Sequence, residues 1–97
     1  MLVKQNQLRG KILAFLAHIY PEKAEEQTII SIYYQYHKFD DIKQALEYLT
    51  DKGYVQRYEY PHPYKIGEKV RLYKITPDGI DVHQGIKDDP GVAKIEW

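Results

Sequence analysis

The chain of 97 residues contains no cysteine, which excludes disulfide bonds, thiolate nucleophiles and zinc sites with cysteine ligands. Its apolar runs are only a few residues long, too short to cross a membrane. No apolar signal-peptide block follows Met1, so we expect a cytoplasmic protein. Net charge is absent too, because 14 Lys and Arg balance 14 Asp and Glu, which argues against a strongly basic polyanion binder.

Motifs that carry catalysis or cofactor binding are also missing. The sequence has no GxGxxG or Walker A loop and no HExxH pair, so nucleotide, metal and cofactor binding are not indicated. The carboxylate pairs at 40–41 and 88–89 lack an accompanying nucleophile or acid-base partner. We therefore expect no catalytic residues and a protein that is not an enzyme. The histidines are scattered along the chain: His18, His37, His62 and His83.

Tyrosine is the residue type in excess, with 10 copies against 2 Phe and 1 Trp. Hydrophobic residues make up 43% and charged residues 29%, ordinary values for one small globular domain. A tyrosine ring is large and apolar with a polar tip, which suits half-buried positions. The tyrosines therefore either edge a small core or form a contact surface for a partner.

The first predicted helix covers Gln5–Tyr20. Leu8, Ile12 and Ile19 recur there at helical spacing. Pro21 should end the helix, because the residue before a proline is disfavoured in the helical conformation.

The segment 27–36 fits two structures. Its β-branched and aromatic residues favour a strand, whereas Ile29, Ile32, Tyr33 and Tyr36 share one helical face. An extended piece at Gln27–Thr28 followed by a helix over Ile29–His37 satisfies both patterns.

A further helix is predicted from Phe39 to Gly53. Asp40 is expected to cap its free N–H groups, and Gly53 to end it in the left-handed conformation. Its apolar stripe has the spacing of one buried face and consists of Ile42, Ala45, Leu46 and Leu49.

Two alternating segments then predict a β-hairpin, with strands over Tyr54–Tyr60 and Lys69–Ile75. The intervening loop, Pro61–Glu68, contains two prolines and a glycine. Thr76 and Pro77 are typical of a helix start, as N-cap and first helical residue.

In this last helix, Ile80, Val82 and Ile86 are expected to pack inward. Residues 1–86 are predicted to form the domain and 87–97 a tail. The end of that tail, from Val92, is expected to be loosely attached or docked on a partner.

This order of elements predicts an α+β domain: a three-helix bundle with a β-hairpin wing and a short C-terminal helix. The hairpin must lean on the helices, because two strands alone are marginally stable.

Two motifs resemble a known family. The segment Phe39–Val55, ending in LTDKGYV, looks like the recognition helix and wing entry of small winged helix-turn-helix regulators of the MarR, PadR and ArsR types. The segment Leu72–Gly79, LYKITPDG, is similar to the return from their wing into the last helix. The resemblance implies a transcription regulator that binds double-stranded DNA. A stand-alone winged domain is also similar to proteins encoded by prophages and other mobile elements.

The charges form alternating blocks that cancel. Residues 1–20 and 54–76 each carry +3, and residues 21–53 and 77–97 each carry −3. A basic hairpin beside a helix-turn-helix is the electrostatic pattern of a DNA-binding surface. The predicted DNA-contacting residues lie on the third helix and the wing: Lys43, Gln44, Arg57, Tyr60, His62, Tyr64, Lys65, Lys69 and Arg71.

The third helix also supports an alternative, because Asp40, Asp41 and Glu47 would repel nearby phosphates. A protein-interaction module on the same scaffold would use the wing and an aromatic surface containing Tyr33, Tyr34 and Tyr36. If DNA is bound, one domain covers one half-site, so a homodimer is expected. The candidate dimer surface consists of Leu2, Leu13, Ala14 and Trp97.

Overall fold

The computed structural model describes residues 2–95, with side chains from Gln5 onward. Four helices pack with one antiparallel sheet whose strand order is β1-β3-β2. No helix within this described part of the chain is long and apolar enough to cross a membrane. The elements are α1 (Leu2–His18), β1 (Ala24–Glu25), α2 (Glu26–Tyr33), α3 (Phe39–Asp51), β2 (Val55–Pro61), β3 (Lys69–Ile75) and α4 (Pro77–His83).

The first two helices differ from their predicted bounds. Helix α1 begins at Leu2 rather than Gln5 and ends at His18 rather than Tyr20. Tyr20 lies outside the helix because the residue before a proline is disfavoured in the helical region. Helix α2 begins three residues earlier than predicted, and its chain leaves the helix after Tyr33. Tyr36, expected on the helical face, is 78% exposed in the following turn.

The extended piece lies at Ala24–Glu25 and not at Gln27–Thr28. It pairs antiparallel with β3, with Ala24 opposite Tyr73 and Glu25 opposite Leu72. The sheet therefore has three strands, and the wing is anchored to the polypeptide before α2. Burial of the small Ala24 side chain stabilises a strand too short to show periodicity.

Helix α3 confirms the predicted buried stripe but corrects its N-terminal cap. The N-cap residue is Lys38, which makes no capping side-chain hydrogen bond, so the prediction that Asp40 caps the helix is wrong. Asp40 and Asp41 instead lie in the first turn, where carboxylates interact favourably with the helix dipole. Gly53 has φ of +79° directly after the C-cap, as its predicted role requires.

The hairpin and the start of α4 confirm the prediction. Strands β2 and β3 pair in continuous antiparallel register from Val55 opposite Ile75 to Pro61 opposite Lys69. The Thr76 hydroxyl accepts a hydrogen bond from the Gly79 amide at 3.1 Å, which caps the helix. Strand β3 therefore leads directly into a capped α4, as the sequence predicted.

The core lies between α1, α3 and the sheet. Its largest fully buried side chains include Tyr73 and the aliphatic residues Leu8, Ile12, Leu13, Leu16, Ile29, Ile42, Leu46, Leu49 and Ile75. Leu13 is 1% exposed and Ala14 0%, so neither is available to the proposed dimer surface. Leu2 and Trp97, the other candidates, lie outside the described side chains.

Ile86 is exposed rather than packed inward, because α4 ends at His83 and the chain turns at Gly85.

Residues 90–95 run along α1, whereas the chain from Val92 was predicted to be loosely attached or docked on a partner. Val92 is buried in the core, and the Ala93 amide donates to the Asn6 carbonyl at 3.1 Å. Gly10 permits this close approach, because a Cβ there would meet the Ala93 oxygen at 2.2 Å. Hydrogen bonds and the buried Val92, rather than a run of large apolar residues, attach this segment.

Candidate nucleic-acid interface

The start of α2, helix α3 and the wing are joined by side-chain contacts into one surface. Glu26 at the start of α2 approaches Lys43 on α3 and Arg71 on β3, both at 3.9 Å. Arg57 on β2 forms an ion pair with Glu47 on α3. These contacts bring together three of the nine predicted contact residues: Lys43, Arg57 and Arg71.

On α3, the predicted contact residues Lys43 and Gln44 have different surroundings. Gln44 is exposed, and its amide can both donate and accept hydrogen bonds at a base edge. Lys43 is half-buried, with its ammonium 5.4 Å from the centre of the Phe39 ring and near Glu26. Asp40 and Gln44 are four residues apart, so they lie on the same helical face.

The wing arginines face acidic partners within the protein. Arg57 donates to the Tyr73 hydroxyl at 3.2 Å as well as to Glu47. Burial alone would lower the pKa of Arg57, but its bonds to Tyr73 and Glu47 raise it above its usual value. Arg71 donates to Glu59 at 2.8 Å and thereby lowers the pKa of that carboxyl group. The positive charge expected on this part of the wing is largely neutralised.

The wing tip is stiff and exposed. The His62 ring accepts hydrogen bonds at Nδ1 from the amides of Tyr64 and Lys65, both at 3.1 Å. Pro63 restricts the backbone, and Gly67 supplies a positive φ of 84°. Such a tip can meet a ligand with little loss of conformational entropy.

Several predicted contact side chains lie at or near this tip. Tyr60 is 47% and Tyr64 90% exposed, and Lys69 is also exposed. Lys65 lies 4.0 Å from Glu68 in a pair so exposed that it constrains neither side chain strongly. The tip therefore presents the wing cations that are most accessible to phosphate.

An open groove of about 750 Å³ separates the wing from the start of α2. Its walls carry charges of both signs, including Glu25, Glu26, Lys69 and Arg71. The pairing of β3 with β1 stops at Leu72, so the outer part of β3 is paired with β2 alone.

The tyrosines predicted to form an aromatic surface separate into two groups. Tyr33 is buried, its hydroxyl donates to the Lys11 carbonyl at 3.0 Å, and burial raises its pKa to about 12. Tyr34 and Tyr36 remain exposed, together with Ile32 and Phe39. We call Ile32, Tyr34, Tyr36 and Phe39 the turn patch, because they lie in or beside the connection between α2 and α3.

Sequence spacing did not reveal the acidic partners of the wing cations. Glu26 and Glu47 lie many residues from Arg71 and Arg57, so no local spacing could reveal the pairs. It also did not single out Lys38, whose exposed position just before α3 follows from the helix boundary. Among residues 2–95, no group of three His, Asp or Glu side chains is placed to hold a metal ion.

Comparison with known proteins identifies the fold. The sequence matches no protein-family profile and no curated protein at a significant level. The structure is similar to PadR of Bacillus subtilis, solved in complex with operator DNA, with a TM-score of 0.59 and 21% sequence identity. The match covers 87% of this chain and 52% of that PadR chain, so it spans about half the length of its neighbour. This chain therefore has the α+β winged helix-turn-helix fold, in the arrangement seen in PadR.

Proposed function

We propose that this protein binds double-stranded DNA in the manner of a small transcription regulator. The observation that carries the proposal is the match of 87% of the chain to a PadR structure solved with operator DNA. In the proposed complex, α3 enters the major groove and the wing lies against the sugar-phosphate backbone. This role places the protein in the cell compartment that holds the DNA.

In this proposal, some side chains contact base edges and others contact phosphates. Gln44 is suited to bidentate contact with adenine, and Asp40 can accept from the amino group of cytosine. Lys38, Lys65 and Lys69 are exposed and would contact phosphates, which position the protein without reading sequence.

We further propose that two copies act together, since one winged domain covers only one half-site. A dimer would bury enough protein surface on DNA to reach the affinity of a specific regulator. Equilibrium sedimentation with and without duplex tests this step. One copy per duplex at saturation, on DNA long enough for two half-sites, would contradict it.

Fluorescence anisotropy with a labelled random-sequence duplex tests DNA binding itself. We expect a Kd of roughly 1–100 µM, with log K falling linearly as log salt rises. Lys69→Gln should reduce the steepness of that dependence by about 0.9, the contribution of one phosphate contact. Lys94→Gln is the matched control, because Lys94 lies beside Gly85 after α4 and not on the wing. No binding at low salt, or binding indifferent to salt, would refute the proposal.

A second candidate is a protein-interaction module, which the turn patch favours. Four large apolar or aromatic side chains are 40% to 78% exposed within eight positions of one another. Aromatic side chains of this kind supply binding energy at protein interfaces. This candidate requires a defined protein partner whose binding is lost in Tyr36→Ser, together with absence of DNA binding by the wild-type protein.

A further inference from the structure

We propose that three carboxylates act as an intramolecular competitor for phosphate and thereby set the DNA affinity of the interface. Glu26, Glu47 and Glu59 hold Lys43, Arg57 and Arg71, and we call these six residues the carboxylate latch. The inference rests on the proposed DNA-binding function and specifies how that same surface is regulated.

Glu26 is the centre of the latch. Its side chain is only 14% exposed and accepts a hydrogen bond from the Tyr73 hydroxyl at 2.9 Å, which fixes its position. One carboxylate oxygen lies 3.9 Å from Lys43, and the other lies 3.9 Å from Arg71. A single acid thus holds one cation of the recognition helix and one of the wing.

The other two carboxylates complete the arrangement. Glu47 pairs with Arg57 across the junction of α3 and β2. Glu59 accepts a bond from Arg71 at 2.8 Å, so that arginine faces two acids. Lys43, Arg57 and Arg71 are therefore already paired with carboxylates in the free protein.

The latch can open, because its charges remain in contact with solvent. The side chains of Lys43 and Arg71 are 39% and 37% exposed, and each lies 3.9 Å from Glu26, too far for a direct hydrogen bond. A DNA phosphate can bind one of these Lys or Arg side chains only after the ion pair between that side chain and its carboxylate has broken. The freed carboxylate then takes up a cation from solution, which offsets part of the counterion release, so the salt dependence is shallower than the number of cations suggests.

The substitution Glu26→Gln tests the latch, with Glu25→Gln as the matched control. Glutamine preserves the size of the side chain and can still accept the Tyr73 hydrogen bond. Glu25 is the neighbouring acid, is exposed and forms no ion pair with any described residue. Its substitution changes the net charge by the same amount as Glu26→Gln but breaks no ion pair. Both variants are titrated with the same random duplex over a series of salt concentrations.

We expect Glu26→Gln to bind about 5- to 10-fold more tightly at low salt, with a salt dependence steeper by about 0.9 to 1.8 as one or two cations reach phosphates. Glu25→Gln should bind slightly more tightly through its net charge alone, with an unchanged salt dependence. Glu47→Gln supplies an independent test, because it frees Arg57 from an acid that is itself 56% exposed.

The results of these titrations distinguish failure of the carboxylate latch from failure of the proposed DNA-binding function. If Glu26→Gln and Glu47→Gln behave like Glu25→Gln while the wild-type protein binds DNA, the latch is refuted and DNA binding stands. Weaker binding by correctly folded Glu26→Gln would also refute the latch, because it would show that Glu26 positions the cations for DNA. If neither the wild-type protein nor any variant binds DNA at low salt, the proposed function and the latch both fail.

Discussion

The attachment of the C-terminal segment depends on a nearly buried carboxylate, and its removal gives a specific prediction. The side chain of Asp89 is 8% exposed and accepts bonds from the Tyr54 hydroxyl at 2.5 Å and the Gly91 amide at 2.8 Å. Lys52 lies 3.5 Å away. Burial would raise the pKa of Asp89, but these donors outweigh it and lower the value.

The magnitude follows from the number and kind of contacts. A hydrogen bond to a charged group contributes about 1.5–3 kcal/mol. We therefore expect Asp89→Asn to lower the free energy of unfolding by about 2 kcal/mol and Tm by roughly 8–16 °C. Tyr54→Phe, which removes only the donor hydroxyl, should cost about 1.5 kcal/mol. The exposed neighbour Asp88 supplies the control, since Asp88→Asn should change stability by less than about 0.5 kcal/mol.

Urea unfolding followed by circular dichroism measures these changes, and a double-mutant cycle isolates the shared bond. The Asp89→Asn and Tyr54→Phe double variant should be more stable than the sum of the single losses by about 1–1.5 kcal/mol. Additivity within about 0.4 kcal/mol would refute the reasoning.

The pH dependence has a defined sign. Because folding lowers the pKa of Asp89, its contribution is complete above the unfolded value of about 3.9 and is lost as the pH falls through the lower folded value. The difference in stability between wild type and Asp89→Asn should therefore shrink in acid. A difference that persists undiminished at the lowest pH at which the protein is folded would contradict this assignment.

Three further predictions concern stability. Burial raises the pKa of Tyr33 and Tyr73 to about 12, and chiefly the hydrogen bond to Asp89 raises the pKa of Tyr54 to about 12. The stability linked to these tyrosines is therefore present below pH ~10 and lost as the pH rises through 12. A tyrosinate absorbance titration should show this loss as a cooperative late phase. Gly10→Ala should destabilise by about 1–3 kcal/mol in urea because its Cβ would overlap the Ala93 carbonyl, whereas a gain in stability, as in a free helix, would contradict that packing. Thr76→Ala should cost about 1 kcal/mol by removing the cap of α4, and no loss of Tm would refute the cap.

Sequence patterns predicted the elements that are strongly periodic or bounded by distinctive residues. The buried stripe of α3 and the alternation of the two wing strands indicated their type, and Gly53 and Thr76 marked their ends. The extended piece before α2 was predicted at Gln27–Thr28 and not at its actual position, because the two residues of β1, Ala24–Glu25, show no alternation. A strand of that length exists only because β3 is available to pair with it.

The candidate interface was predicted less completely than the fold. Residue type and position indicated which cations the wing carries. Whether an acid neutralises each cation, however, depends on partners that are distant in sequence. Glu26 meets Arg71 only after the sheet has formed, and Glu47 meets Arg57 across the turn after α3. Leu13 lies outside the predicted apolar face of α1 but is buried in the core. Its burial also depends on elements distant in sequence, so the helical pattern alone could not show it.

Mapping the DNA contacts on the free protein tests the central claim most directly. Backbone amide NMR shifts are followed while an unlabelled duplex is added to the isotope-labelled chain. The account predicts perturbation of the first half of α3, around Gln44, and of the wing tip from His62 to Lys69, with the segment around Val92 unchanged. Perturbation centred on α1 and Val92, with α3 and the wing unaffected, would contradict it.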